Sequence, residues 1–183
     1  MLLPPAWSPD GTKIAFEQFV QRSPTLAVMN ADGSGQTPLS PRTFAAGPAW
    51  QPIPNRPPDC SGVGASRSVL STANHRLVPI TLDGATDPDG DAVTLTIAGV
   101  TQDEPVVSRT DNTSPDAVDQ GDGQLRVRAE RNPHGDGRVY RIAFTASDGP
   151  GGSCSGTATV SVPRKKHKAA VDSAPPSYDS FGR

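Results

Sequence analysis

The sequence predicts an all-β chain whose larger part is a two-layered sandwich of seven strands. Three observations carry that prediction. Short strand-like runs recur through about 100 residues with turn-forming residues between them. Where a run is long enough to read, as in Arg138-Val139-Tyr140-Arg141-Ile142-Ala143-Phe144-Thr145-Ala146, polar and apolar residues alternate with period two, so one face is core and the other meets water. Finally, 20 prolines, 18 glycines and 5% aromatics leave too little apolar material for one large core in 183 residues, and one compact domain with less ordered flanks is expected.

The first element is an internal echo. Pro5-Ala6-Trp7-Ser8-Pro9-Asp10-Gly11 is partly repeated at Pro48-Ala49-Trp50-Gln51-Pro52, a spacing of about 43 residues. Between the copies, Lys13-Ile14-Ala15-Phe16 and Leu26-Ala27-Val28-Met29 read as strands, with Asp10-Gly11 and Asp32-Gly33 as turns. WSPDGTKIAF followed by LAVMNADGSGQTPLS resembles one blade of the TolB-like (PD40, WD40-like) β-propeller repeat, and the resemblance implies that the Trp and Pro pack between blades. The second copy loses its turn, because Gln51-Pro52-Ile53-Pro54 replaces Ser-Pro-Asp-Gly. About three repeats are normally needed for stability. Residues 1–52 are therefore expected to be an incomplete blade, the remnant of a longer protein, with a scaffolding role and no catalytic residue.

The second element is a spacer. Gln51 to Asp59 reads QPIPNRPPD, four prolines in nine residues, which favours an extended linker over 53–59. Beyond it the runs Ser68–Leu70, Leu77–Leu82, Val93–Val100, Pro105–Val107, Gln124–Glu130, Val139–Ala146 and Gly156–Val162 supply seven strands, A to G, of an immunoglobulin-like sandwich over 60–163. The Asp- and Gly-rich stretch Arg109–Gly123, with Asp111, Asp116, Asp119 and Asp122, is read as a hydrated insertion.

The B–C loop is the most informative stretch. In Ala85-Thr86-Asp87-Pro88-Asp89-Gly90-Asp91, Pro88 and Gly90 favour a tight turn and three aspartates at alternate positions gather carboxylates that suit a hard cation. In a seven-strand sandwich the lead-in segment, the B–C loop and the F–G loop share one pole, so Asp148 in Ala146-Ser147-Asp148-Gly149 belongs with them. The pieces PPDCSGV, NHRLVPITLDGATDPDGDAVTLTIAGVTQDEPV, LRVRAER and GRVYRIAFTASDGPGGSCSGTATVSVP resemble a bacterial cadherin-like, Ig-like repeat. That resemblance implies Ca²⁺ ligation by Asp87, Asp89 and Asp148; Asp91 lies in the same loop, and Asn55 and Asp59 in the linker are candidates to complete the shell. The competing reading is a solvated turn.

Two cysteines, Cys60 and Cys154, are too few for a thiolate zinc site, and a disulfide or two inert thiols remain. Both sit at strand starts at the same pole, which favours the disulfide and an oxidising compartment. At the opposite pole, Asp103, Glu104 and Glu130 are read as surface acids neutralised by Arg126, Arg128 and Arg131.

Other chemistry finds no support. His75, His134 and His167 lie in unrelated contexts, there is no His-x-x-x-His pair or Gly-x-Ser-x-Gly turn, and His75 reads as a capping or packing residue at the start of strand B. A glycosidase would need two carboxylates across a cleft. The sandwich aromatics Tyr140 and Phe144 fall on the inward parity, which argues against a carbohydrate-stacking surface. A net charge of −2 gives no general reason to bind nucleic acid, and no run is long and apolar enough to insert in a membrane. Residues 164–183, beginning Arg164-Lys165-Lys166-His167-Lys168, are expected to be a disordered basic and polar tail. The expectation is a non-enzymatic module that is secreted, periplasmic or on the cell surface, monomeric within a multidomain chain, and that contacts a protein or cell-surface partner. The alternatives are the accessory terminus of a propeller-containing hydrolase and a carbohydrate-binding module.

Overall fold

The computed structural model describes residues 3–20, 23–39, 47–107, 113–149, 151–165 and 168–182, and every regular element among them is a strand. The chain divides into two units, Met1–Pro54 and Asn55–Arg183.

The first unit is an antiparallel meander of β1 (Ala6–Trp7), β2 (Lys13–Val20), β3 (Ser23–Asn30) and β4 (Thr37–Pro38), neighbours in that order. Its turns form where short polar side chains satisfy the backbone. Asp10 Oδ1 accepts from the Thr12 amide at 3.0 Å and from the Ser8 hydroxyl at 2.6 Å, and Asp32 Oδ1 accepts from the Ser34 amide at 2.9 Å. These bonds hold the Asp10 and Asp32 carboxyls below the usual range, with the Ser8 and Ser34 hydroxyls first among the causes. Ile14, Ala15 and Ala27 are buried, whereas Trp7 and Phe19 are each 58% exposed. The Trp50 indole N–H donates to the Ala6 carbonyl at 2.9 Å, which ties the second copy of the echo to the first. Both expected strands run longer than read, because Phe16 to Val20 and Ser23 to Thr25 continue the ladder.

The second unit is a sandwich of two four-stranded sheets. One has the order β11-β10-β7-β12 and the other β5-β6-β9-β8. In chain order the strands are β5 (Gly64–Ala65), β6 (Leu77–Asp83), β7 (Thr94–Gln102), β8 (Ala117–Gly121), β9 (Gln124–Arg128), β10 (Gly137–Ser147), β11 (Ser153–Pro163) and β12 (Tyr178–Asp179). Period-two burial builds the core. Ile80 and Leu82 from β6 and Leu125 and Val127 from β9 face Tyr140, Ile142 and Phe144 from β10 and Val160 and Val162 from β11. Each such aliphatic side chain contributes roughly 1.5–3 kcal/mol through burial. β7 keeps both Ile97 and Val100 inside although they are three residues apart, because the register passes from Ala143↔Gly99 to Phe144↔Ile97 and Ala98 bulges. Gly156 lies opposite Phe144, and a Cβ there would meet the ring at 2.7 Å. The strand is bare at that position because an aromatic ring lies over it.

Three expectations need correction. Pro105–Val107 is not a strand; the fourth strand of the B–E sheet is β8, inside the stretch read as a hydrated insertion. Ala117 is buried there, and Asp122-Gly123, both at positive φ, turn the chain back into β9. Asp111 lies outside the described residues. The first strand is split: Gly64–Ala65 pair with β6, while Val69 bridges in parallel to Ser161 on β11.

The third correction concerns the tail, since the described part of 164–183 is not disordered. Tyr178 and Asp179 pair with Gln102 and Thr101, Asp172 forms an ion pair with Arg141, and Phe181 packs against the core. The Ser180 carbonyl accepts the amides of Asp116 and Ala117 at 2.9 and 2.8 Å. Composition alone hid a segment that the sandwich edge orders.

Candidate functional site

Two clusters sit at opposite poles of the sandwich. The first is the B–C turn with the segment that leads into the domain. Asp87 Oδ1 accepts the amides of Asp89 at 2.7 Å and Asp91 at 3.2 Å, and Gly90 takes φ +85°, so the Asp-Pro-Asp-Gly-Asp sequence closes on its own first carboxylate. Asp89 is taken from outside. Its Oδ2 accepts the Arg56 amide at 2.7 Å and its Oδ1 the Arg56 Nε at 2.8 Å, an ion pair that holds its carboxyl below the usual range. The Arg56 guanidinium also donates to the Pro88 carbonyl.

The F–G loop is held by the neighbouring residue. Asn55 Nδ2 donates to Asp148 Oδ2 at 2.8 Å, while Asp148 Oδ1 accepts the amides of Gly151 at 3.1 Å and Gly152 at 2.8 Å. The Asn55 bond, then those amides, outweigh burial and hold the Asp148 carboxyl down. Asp59 forms an antiparallel bridge with Thr86, and its Oδ1 accepts the Ser61 amide at 2.8 Å. The Ser61 amide and hydroxyl keep its carboxyl low as well. One residue on, Cys60 is bonded to Cys154, with Cα atoms 6.0 Å apart and 94 positions between them in sequence. Such a link contributes about 2–4 kcal/mol, chiefly by restricting the unfolded chain.

The lead-in segment 55–60 therefore fastens both loops and the start of β11. Among the described residues, no group of three or more His, Cys, Asp or Glu side chains is placed to hold a metal ion. Calcium takes six to eight oxygens. Here Asp89 is filled by a guanidinium and Asp148 by an amide side chain and two backbone N–H groups, so an ion at this pole would first have to displace Arg56 from Asp89. Asp87 Oδ2 stands apart, being buried with no hydrogen-bond partner.

The opposite pole differs most from expectation. Asp103, Glu104 and Glu130 are buried rather than superficial, and Asp116 from the supposed hydrated insertion joins them. Asp103 accepts the Val139 amide at 2.8 Å, and the other three surround Arg138 on β10, only 1% exposed, with Nη1 at 2.8 Å from Asp116 Oδ2 and Nε at 3.2 Å from Glu104 Oε2. Arg128 contributes a second guanidinium, 3.3 Å from Asp116, and its carbonyl accepts the Tyr140 hydroxyl at 2.8 Å. Arg126 and Arg131 stay outside, bonded to Gln120 and to the Pro163 carbonyl. Gln102 spans Asp116 and the Ser180 hydroxyl, so the C-terminal segment closes over the cluster.

The electrostatics follow from this packing. Burial works against the Arg138 charge, but Tyr140, Asp116 and Glu104 outweigh it and hold the guanidinium above its ordinary range. Burial pushes the Tyr140 phenol up despite the neighbouring Arg138. His75, at φ +61°, places Nδ1 2.6 Å from Glu130 Oε2 just before β6, so it braces the strand start as a capping residue would. The signal that would have found Arg138 is its parity, shared with Tyr140, Ile142 and Phe144 on the inward face of β10. Tyr140 and Phe144 are buried, as that parity predicted, and present no ring surface to a sugar. No helix among the described residues is long and apolar enough to cross a membrane.

A family model described as a bacterial Ig domain matches residues 55–162, the span from the lead-in segment to the end of β11. No curated protein matches the chain.

Proposed function

Since the chain belongs to the bacterial Ig domain family, we propose that it is a non-catalytic module for contact between proteins, exported from the cell and carried within a longer multidomain chain. The observation that carries this reading is the pole fastened by residues 55–60: Asn55 on Asp148, Arg56 on Asp89 and Cys60 on Cys154 give a stiff domain whose loops and strand edges are left to meet a partner. The disulfide supports an oxidising compartment. The four-stranded meander of the first unit supports the reading of residues 1–52 as a blade-like scaffold.

Site-specific photo-crosslinking from exposed positions of the domain in the producing bacterium, together with thiol alkylation before and after reduction, tests the proposal. Discrete protein adducts and cysteines that alkylate only after reduction are expected. Free thiols in the cell contradict export, and the absence of adducts from every position contradicts the interaction role.

A second reading keeps calcium at the lead-in pole and is favoured by the buried, unpartnered Oδ2 of Asp87. Asp87, Asp89, Asp91, Asp148, Asn55 and Asp59 would hold the ion, which would supply charge neutralisation and stiffness, and Arg56 would have to leave Asp89. Thermal melts of the chain and of Arg56→Ala decide between the readings. Calcium at millimolar concentration raises the midpoint, more so in the variant, if this reading holds; unchanged midpoints in both contradict it.

A further inference from the structure

We infer that the outer edge of β7 is a docking site for an extended, basic segment of a partner protein, which adds there as a strand in line with β12. The inference deepens the interaction-module reading and rests on it. On one side β7 pairs with β10 from Thr94 to Gln102. On the other side β12 covers Gln102 and Thr101, and the Ser180 N–H reaches the Val100 carbonyl at 2.9 Å. From Thr94 to Gly99 no described strand lies on that side.

An uncovered edge is a template for another strand, and natural sheets protect theirs with Lys, Pro, bulges or a covering segment. Thr94-Leu95-Thr96-Ile97-Ala98-Gly99 contains no charge and no proline. Among the described residues the bulge at Ala98 is its one protection. The short β12 already shows that this edge accepts an antiparallel strand.

The surroundings define the occupant. A cavity of about 480 Å³ follows the edge, lined in part by Ile97, Val100 and Phe181 and by Asp119 and Asp179. Each carboxylate accepts one turn amide, from Gly121 at 2.9 Å and from Phe181 at 3.0 Å, and neither forms an ion pair with a described residue. A strand with apolar side chains at alternate positions and Lys or Arg between them meets both features. Main-chain bonds would give it affinity, and the alternating side chains specificity. A second copy pairing through the same edge is disfavoured, because it would set Asp119 and Asp179 against their own equivalents and oppose two bulges.

The test is titration of the isotopically labelled full chain with a capped peptide of about six alternating lysines and valines, long enough to span the uncovered stretch, followed by amide NMR and hydrogen exchange. Shifts and slowed exchange concentrated at 94–101 are expected. Binding should weaken about tenfold in Asp119→Asn/Asp179→Asn, which keeps both turn acceptors but removes the charges. It should be lost when alternate peptide nitrogens are methylated. No shift at millimolar peptide, undiminished binding by the methylated peptide, or a concentration-dependent dimer through this edge would overturn the inference. Shifts confined to another face would also overturn it yet leave the interaction-module reading standing, since that reading falls only to the cross-linking and alkylation results.

Discussion

Position 138 shows how a single residue can be legible in pattern and still be passed over. Its parity with Tyr140, Ile142 and Phe144 placed a guanidinium on the inward face of β10, yet local sequence offered it no partner, because Glu104, Asp116 and Glu130 arrive from three other stretches. Removing one partner of a buried ion pair leaves an uncompensated charge. Arg138→Ala is therefore expected to lower the free energy of unfolding by about 3–5 kcal/mol in urea titrations; a loss under about 1 kcal/mol would show that water reaches the cluster. Arg138→Lys should recover little, since an ammonium cannot reproduce the planar fork.

Asp148 gives the corresponding test in pH. Its folded carboxyl lies below the ordinary value, so its contribution to stability is full above the unfolded-state range near about pH 4 and is lost as pH falls through the depressed folded value. Asp148→Asn should melt below wild type at neutral pH, with the gap closing in acid. A gap that does not change with pH would contradict the role given to its charge.

At the scale of elements, the strands with clear period-two alternation were legible and those without it were not. Leu77–Leu82, Gln124–Glu130 and Val139–Ala146 fall on β6, β9 and β10, with ends shifted by a few residues. β8 was hidden because Asp116, Asp119, Gly121 and Asp122 outweigh Ala117 and Val118 in composition, although pairing with β9 satisfies that backbone. β12 was hidden for a related reason, since Tyr178–Asp179 is too short to carry a period and is a strand only because the β7 edge receives it. Truncation after Lys168 should therefore destabilise the sandwich. It removes Phe181 from the core and the Ser180 carbonyl from two amides, Asp116 and Ala117, at a cost on the order of 3 kcal/mol. Amide exchange at Asp116, Ala117 and Ala129 would report it. Faster exchange at the first two with Ala129 unchanged is expected, and no change at any of them would mean that the segment is not bound in solution.

For the whole molecule, the all-β class, the sandwich and the link between Cys60 and Cys154 follow from strand spacing and pole arithmetic. What the linear sequence concealed is how the lead-in pole is fastened. Arg56, which the sequence did not single out, takes Asp89, and Asn55 takes Asp148. A carboxylate beside an arginine in space but 33 positions away in sequence is invisible to local pattern. Through Asn55 and Asp148 the 55–56 segment and the F–G loop form one mechanical unit. Its most direct test is a double-mutant cycle on thermal unfolding, with Asn55→Ala and Asp148→Ala made singly and together. Strong non-additivity is expected, with Asn55→Ala costing almost nothing once Asp148 is gone; two losses that simply add would show that the two residues do not hold each other.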